Sequence, residues 1–224
     1  MALTWLIPPL AKAVLRRRLK WGKEDPDRFL EKLGQPSKKR PDGPLIWINA
    51  VGLGEVLSLR GLIASLTKQH PKAQVLVTST TRDSAKAFRE NLPDRTVHQF
   101  LPIDAPQFRK RFLDHWKPDV AIWAEQDIWP GFVVEVKKRR IPQAIVASRM
   151  DEKAFRSRLR AQKFAQAILQ RMSLITAQDE QTAKHLSELG ALDVRTTGSL
   201  KPAAPPLTFD QKRLETASNR LEGR

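Results

Sequence analysis

Two short segments of this sequence place carboxylates where a reacting hydroxyl could meet them. In the first, an apolar run ends in Gly52-Leu53-Gly54-Glu55 and a helical pattern follows. Glycines let the backbone turn tightly and come close to a ligand. A carboxylate in the first turn of a helix is held in its charged form by the positive helix end. Glu55 could therefore take a proton from a sugar hydroxyl, or it could do no more than complement the helix dipole. The segment is not a dinucleotide fingerprint, because Leu57 stands where the third glycine would be. In the second segment, Glu125-Gln126-Asp127-Ile128-Trp129-Pro130, two carboxylates lie two residues apart at the end of another apolar run. Residues at that spacing share a strand face. Glu125 and Asp127 could converge on one ligand and raise one another's pKa, or Asp127 could cap the helix that Pro130 opens.

Hydroxyls and guanidinium groups close two further runs, Thr78-Ser79-Thr80-Thr81-Arg82 and Ser148-Arg149. These are the groups that hold phosphates and sugars. Lys137–Arg140 and Arg156–Arg160 are better read as solvated helix faces. Cysteine is absent, which excludes disulfides, thiolate metal sites and a cysteine nucleophile. His70, His98, His115 and His185 have no ligand spacing, so neither a metal nor a cofactor is expected. No Ser/His/Asp order or P-loop points to a hydrolase or an ATPase.

The elements that must position these residues alternate regularly. Apolar, β-branched runs occupy Leu45–Val51, Val75–Thr80, Val97–Leu101, Val120–Trp123, Ala144–Ala147, Leu174–Ala177 and Val194–Thr197. Helical patterns lie between them, at Val56–Gln69, Ser84–Asn91, Gln107–Trp116, Phe132–Arg139, Ala154–Met172 and Glu180–Leu189. Such alternation predicts an α/β fold, a Rossmann-like doubly wound parallel sheet with both faces covered, whose ligands sit beyond the carboxyl ends of the strands. The expected domain spans 41–202. Residues 1–40 precede it as an N-terminal membrane-associating segment and connector, in which Asp25-Pro26 opens and Gly34 closes a short helix. Residues 203–224 follow it as a linker with a polar helix over Leu207–Leu221.

Forty Lys and Arg against 24 Asp and Glu give a formal net charge of +16, which calls for an anionic partner. The N-terminal apolar run, with Leu3, Trp5, Leu6, Ile7, Leu10, Val14 and Leu15, is too short to span a bilayer. Its basic residues Arg16–Arg18 and Lys20 come after the apolar part, the reverse of a signal peptide. A short, Trp-bearing stretch with a basic flank suits an interfacial anchor on an anionic membrane surface, or an ordinary docking helix.

Four motifs in collinear order then resemble one family. Arg40–Val56, RPDGPLIWINAVGLGEV, looks like the opening RPxGPLIWxHAxSxGEV of the 3-deoxy-D-manno-octulosonic acid (Kdo) transferases. EQDIWPGF is similar to that family's ETELWPN, ASRMDEKAF to NARLSxRS, and AQDEQTAKHLSELGALDVRTTGSLK to AQSxxDxxRxxxLGAxxVxVTGNLK. The resemblance implies the N-terminal domain of a GT-B glycosyltransferase. Its substrates would be a lipid A precursor, bound here, and CMP-Kdo, bound by a second domain, at the cytoplasmic face of the bacterial inner membrane. It implies Glu55 as catalytic base, with Glu125 and Asp127 as the second acidic motif. Gly52, Gly54, Thr80, Arg149 and Lys201 are the expected substrate-binding residues, and transfer would be inverting and metal-independent. Asn49, Gly52, Asp127, Gly131, Ala147 and Ser199 depart from the usual His, Ser, Glu, Asn, Asn and Asn. The chain stops at Arg224, where the connector to the donor domain would run on, so that domain is expected to be missing. A non-catalytic domain that binds anionic lipid is the alternative. Nucleic acid is not an expected partner, since Tyr is absent and the Trp residues fall in strands or beside motifs.

Overall fold

All seven apolar runs form strands within two residues of their expected bounds: β1 (Leu45–Asn49), β2 (Gln74–Ser79), β3 (Thr96–Phe100), β4 (Val120–Ala124), β5 (Gln143–Ser148), β6 (Leu174–Ala177) and β7 (Val194–Thr196). The structure, a computed structural model, describes residues 7–50, 53–90, 93–125, 128–203 and 218. The strands make one parallel sheet in the order β3-β2-β1-β4-β5-β6-β7. Eight helices are described: α1 (Ile7–Lys20), α2 (Leu53–Gln69), α3 (Arg82–Glu90), α4 (Pro106–Trp116), α5 (Pro130–Lys138), α6 (Glu152–Leu159), α7 (Gln162–Leu169) and α8 (Glu180–Glu188). The helix expected over Leu207–Leu221 lies, apart from Ser218, outside the described residues.

Side chains alternate across the sheet. Trp47, Trp123, Ile145 and Ile175 face α4 through α8 and form the larger core with Phe112, Phe132, Ile168 and Leu186. Trp47 sits at its centre, with the rings of Phe112, Trp123 and Phe132 at 5.0, 5.2 and 5.5 Å. Each such aromatic pair contributes about 0.5–1.5 kcal/mol beyond its buried area. Ile48, Val75, Val77 and Ala124 face the other way, against Leu59 and Ile63 of α2 and Phe88 of α3. That second face is covered less completely than expected. Ile122, Ala144, Val146, Leu174 and Thr176 of β4–β6 are half-exposed between buried neighbours. The crossovers that follow β1 and β2 carry α2 and α3 outward over β1–β3, while α5, α6 and α7 pack on the opposite face.

The single helix expected over Ala154–Met172 is two. Ala161, at φ −122° and ψ 39°, separates α6 from α7. A straight helix would rotate Ile168 roughly 140° away from Phe155, at about 100° per residue. The break lets Phe155, Ile168 and Leu169 all enter one core.

Residues 7–37 pack on the domain. Ala11 and Leu15 of α1 pack with Leu33, Ala105 and Phe108, while Leu10 and Val14 stay exposed. The helix expected after Asp25-Pro26 is a turn followed by a short 3₁₀ helix, Phe29–Leu33. Gly34 closes it at φ 75°, where a side chain would collide with the Phe108 carbonyl. Two buried carboxylates fasten the segment. Glu24 accepts from Arg18 and Lys32, each at 2.5 Å, and the Lys32 ammonium also donates to the Thr80 carbonyl at 2.9 Å. Glu31 takes both arms of Arg28 at 2.9 Å, the Ser37 hydroxyl, and the Phe100 amide at 2.7 Å.

Arg28 reaches further, to the His98 carbonyl at 3.0 Å and the His98 Nδ1 at 3.1 Å. An arginine only donates, so Nδ1 accepts and the Nε2–H donates to Ser79 Oγ at 2.9 Å. Burial, then the charges of Arg28, Lys38 and Arg89, lower the His98 pKa from 6.5 to about 3. The unfolded chain therefore binds a proton below pH 6.5 that the folded chain refuses until pH 3, so stability rises with pH across that window. Lowering the pH from about 8 to about 5 is expected to cost about 2 kcal/mol through this one group, at about 1.4 kcal/mol per unit. Urea unfolding across that range checks it. His98→Gln should remove most of the slope.

Candidate functional site

In a parallel sheet every strand delivers its carboxyl end to the same edge, and the strand order decides which ends are neighbours. Here β2, β1, β4 and β5 are adjacent. The segments after them carry Thr80, Gly54 and Glu55, Glu125, and Arg149. At ~4.8 Å per strand these four ends span ~15 Å. The chain leaves β1 toward β2 and leaves β4 toward β5, so the order reverses between β1 and β4. A crevice opens at such a point, and Glu55 and Glu125 follow the two strands that flank it.

Glu55 lies in the first turn of α2, with Gly54 exposed beside it. Gly52 and Asp127 lie outside the described residues. Glu125 is half-buried, and its amide donates to the Val146 carbonyl at 2.8 Å. Its backbone is left-handed, at φ 56°, an uncommon conformation for a side-chain-bearing residue and a cost of about 1–3 kcal/mol. Ala147, on the neighbouring strand, is left-handed too, at φ 51°. The usual Asn of the resembling motif would tolerate that conformation better than alanine does.

The hydroxyls at the strand ends divide into two sets. Thr78 and Ser79 are wholly buried. Thr78 Oγ1 accepts from Trp47 Nε1 and donates to Asn49 Oδ1, both at 2.9 Å. Ser79 is engaged with His98, and Ser148 is buried as well. Thr81 caps α3, its Oγ1 accepting from the Ser84 amide at 3.1 Å. Of the expected hydroxyl donors this leaves Thr80, half-buried just after β2, lining a hollow with Arg18 and Arg82, and with its carbonyl held by Lys32. Arg149 is exposed, and its charge helps hold the Asp179 carboxyl below the usual range, after the larger effect of the Thr182 amide. Lys201 is exposed in a 3₁₀ turn, Lys201–Ala203, that returns from β7 to pack on α2, with Leu200 in the α2-side core. Among the described residues no three His, Asp or Glu side chains cluster as metal ligands would.

The start of α5, which follows the acidic motif in sequence, is held by two residues that sequence reasoning missed. Asp104 accepts from the Gly131 amide at 2.9 Å, capping the start of α5, and is itself held by Arg109 Nη1 at 2.8 Å. A side chain on Gly131 would occupy the space of the Arg109 guanidinium and the Asp104 carboxylate. The glycine at this motif position is therefore matched by a distant ion pair. Nothing in the spacing of Asp104 and Arg109, 22 residues or more before Gly131, signals that contact.

Sequence comparisons with known proteins agree on one family. Residues 27–204 match the family model described as 3-Deoxy-D-manno-octulosonic-acid transferase (kdotransferase). The 3-deoxy-D-manno-octulosonic acid transferase of Rickettsia bellii (strain RML369-C) is 34% identical over 222 residues, covering 99% of this chain and 53% of its own length. That of Rickettsia felis (strain ATCC VR-1525 / URRWXCal2) is 37% identical over 180 residues, 80% of this chain and 39% of its own. The chain thus spans about half, or less, of the length of the curated relatives it matches. Among solved structures, the UDP-GlcNAc 2-epimerase from Neisseria meningitidis bound to UDP-GlcNAc shares the fold, with a TM-score of 0.52 at 13% identity over 70% of this chain and 47% of that one.

Because the Asp104–Arg109 pair occupies the space a side chain needs, Gly131→Ala is expected to destabilise the domain by about 1–3 kcal/mol, as overpacking does. Denaturant titration measures it. A change within about 0.3 kcal/mol would mean that the pair moves aside freely.

Proposed function

The chain belongs to the 3-deoxy-D-manno-octulosonic-acid transferase family, and on that premise we propose that it forms the acceptor-binding half of a transferase moving Kdo from CMP-Kdo to a lipid A precursor in lipopolysaccharide synthesis. The observation that carries this reading is the placement of the GE pair and the second acidic motif after β1 and β4, on the two sides of the switch point. The four motifs that resemble the family are scattered between residues 40 and 201, and all four reach the ends of adjacent strands, β1, β4, β5 and β6.

In this reading Glu55 is the general base. The first turn of α2 favours its ionised form, ready to accept the proton of the acceptor hydroxyl as that oxygen attacks the anomeric carbon of Kdo and CMP departs. Glu125 and Asp127 orient the acceptor sugar from the facing strand end. Arg149, Thr80 and Lys201 hold its phosphates and hydroxyls. Such charge-assisted contacts are the stronger kind of hydrogen bond, and they fix the hydroxyl within reacting distance. The donor lies across the cleft on a second Rossmann-like domain, the GT-B arrangement.

The membrane part of the proposal rests on α1. Among the described residues no helix is long and apolar enough to cross a membrane. Leu10, Val14 and Trp21 are exposed, at 65%, 49% and 57%. They recur at helical spacing beside Arg16, Arg17, Lys20 and Lys23, and Arg17 lies 4.5 Å over the Trp21 ring. An apolar stripe with a cationic flank suits the interface of an anionic leaflet, at the cytoplasmic face of the inner membrane.

Two measurements test the reading. In a fusion with the remaining part of the Rickettsia bellii relative, Glu55→Gln is expected to lower transfer 10²- to 10⁴-fold with the fold unchanged. Activity within about threefold of the parent would return Glu55 to a helix-dipole role. Replacing Leu10, Val14 and Trp21 by Ser should release the protein from vesicles containing anionic lipid, at about 0.8 kcal/mol per methylene-sized group withdrawn. Undiminished sedimentation with the vesicles would refute the anchor.

A further inference from the structure

Beside the carboxyl edge a cavity of about 160 Å³ opens between the turn before α5, the end of β5 and the broken helix α6–α7. Its wall is almost entirely apolar, built by Ile128, Ile145, Met150, Ile168, Leu169 and Leu186. The break at Ala161 shapes one side, with Arg158 before it and Phe164 and Ala165 after it. Arg158 is half-buried in this lining, and Phe164 is 59% exposed beside it. Lys153, Arg156 and Arg160 border a second hollow together with Glu152, on the face of α6 turned away from Arg158, and Arg156 is paired with Glu152 at 2.7 Å. Arg149 leaves β5 one residue before Met150.

A slot that is mostly apolar inside, with the half-buried guanidinium of Arg158 in its wall, complements one kind of molecule, an alkyl chain joined to an anion. We propose that this cavity takes the end of one acyl chain of the phosphorylated lipid acceptor, with Arg158 meeting its phosphate. The inference rests on the acceptor being a phosphorylated lipid, as proposed above, and adds how that lipid is held. Size sets how much of the chain enters. An apolar cavity of about 150 Å³ accommodates benzene, so this one takes about six carbons, the tip of an acyl chain. The rest of the chain passes over Phe164 and Leu159, both exposed on α6 and α7. A lipid whose chain is gripped here presents its head toward Arg149 and Glu125, which follow β5, a strand that lines the slot, and its neighbour β4.

The test is calorimetric titration of the intact chain with n-alkyl phosphates of increasing length below their micelle concentrations, beside inorganic phosphate and n-octanol. Affinity is expected to rise about fourfold per methylene over about six carbons and then level off, with n-octyl phosphate exceeding both controls. Ala165→Phe, which fills the slot from α7, should flatten the series while leaving the phosphate affinity unchanged. Ala165→Met provides the same readout if the phenylalanine disturbs folding. Arg158→Gln should weaken every alkyl phosphate by about the same factor, keeping the gain per methylene. A flat series in the parent chain, or an unchanged slope in both Ala165 variants, overturns the proposal. An N-octanoyl glucosamine phosphate that displaces n-octyl phosphate better than dioctanoyl phosphatidylglycerol assigns the slot to the acceptor, and the reverse order overturns that assignment. The readout needs no sugar transfer, so the slot can fail while Glu55-dependent transfer stands, and transfer can fail while the slot stands.

Discussion

Parallel pairing of β1 with both β2 and β4 is the constraint from which the rest of this molecule follows. Asn49 pairs with Thr78 on one side and Trp123 on the other, so three strand ends arrive at one edge in fixed register. Trp47, two residues earlier, seals that register from below. Its ring fills the centre of the larger core, and its indole N–H donates to Thr78. Asn49, buried and hydrogen-bonded to the same hydroxyl, supports the edge from inside the sheet, although the resembling motif has a histidine there. The Trp47 indole, the Thr78 hydroxyl and the Asn49 amide oxygen satisfy one another, which helps a polar edge to stand on an apolar sheet.

The N-terminal segment is tied to the same edge by charge. Glu24, Glu31 and Lys32 are buried nearly completely, and burying charges costs more than a single partner returns. Each therefore has several partners, and those partners belong to different elements: Thr80 after β2, Phe100 at the end of β3, and His98 through Arg28. An arrangement of this kind adds little net stability compared with an apolar core, but it admits only one docked geometry. The amphipathic helix α1 and the strand end that carries Thr80 are thereby linked through Glu24, which accepts from Arg18, and Lys32, which donates to Glu24 and to the Thr80 carbonyl.

Departures from the family's motifs have physical counterparts elsewhere in the chain. Gly131 stands where an asparagine is usual, and the Arg109 guanidinium and Asp104 carboxylate take the vacated space. Ala147 stands where an asparagine would relieve a left-handed backbone, and the strain is retained beside Glu125, itself left-handed. The ladder between β5 and β6 also shifts register between Ile145 and Ser148. Left-handed backbone thus falls at the ends of β4 and β5, where the sheet turns toward the crevice, as it also does at Arg95, Lys117 and Arg140 away from that edge.

Local pattern determined much of this protein. Apolar runs of strand length, the helices between them, and the glycine and proline punctuation were enough for seven parallel strands and a Rossmann-like sheet. Collinear motifs carried the family, and strand ends near Gly54, Thr80, Glu125 and Arg149 marked the edge. These are near-neighbour properties, legible because side-chain period and turn chemistry act over a few residues. Tertiary structure alone decided what depends on distant residues meeting. It split Ala154–Met172 at Ala161 so that Phe155 and Ile168 share one core, and so shaped the apolar slot. It committed Thr78, Ser79 and Thr81 to internal hydrogen bonds, leaving Thr80 half-buried beside Arg18 and Arg82. It placed Arg109 against Gly131 and Arg28 against His98, contacts across 22 and 70 positions that no spacing rule encodes, because a side chain's partner is set by where the sheet carries the backbone.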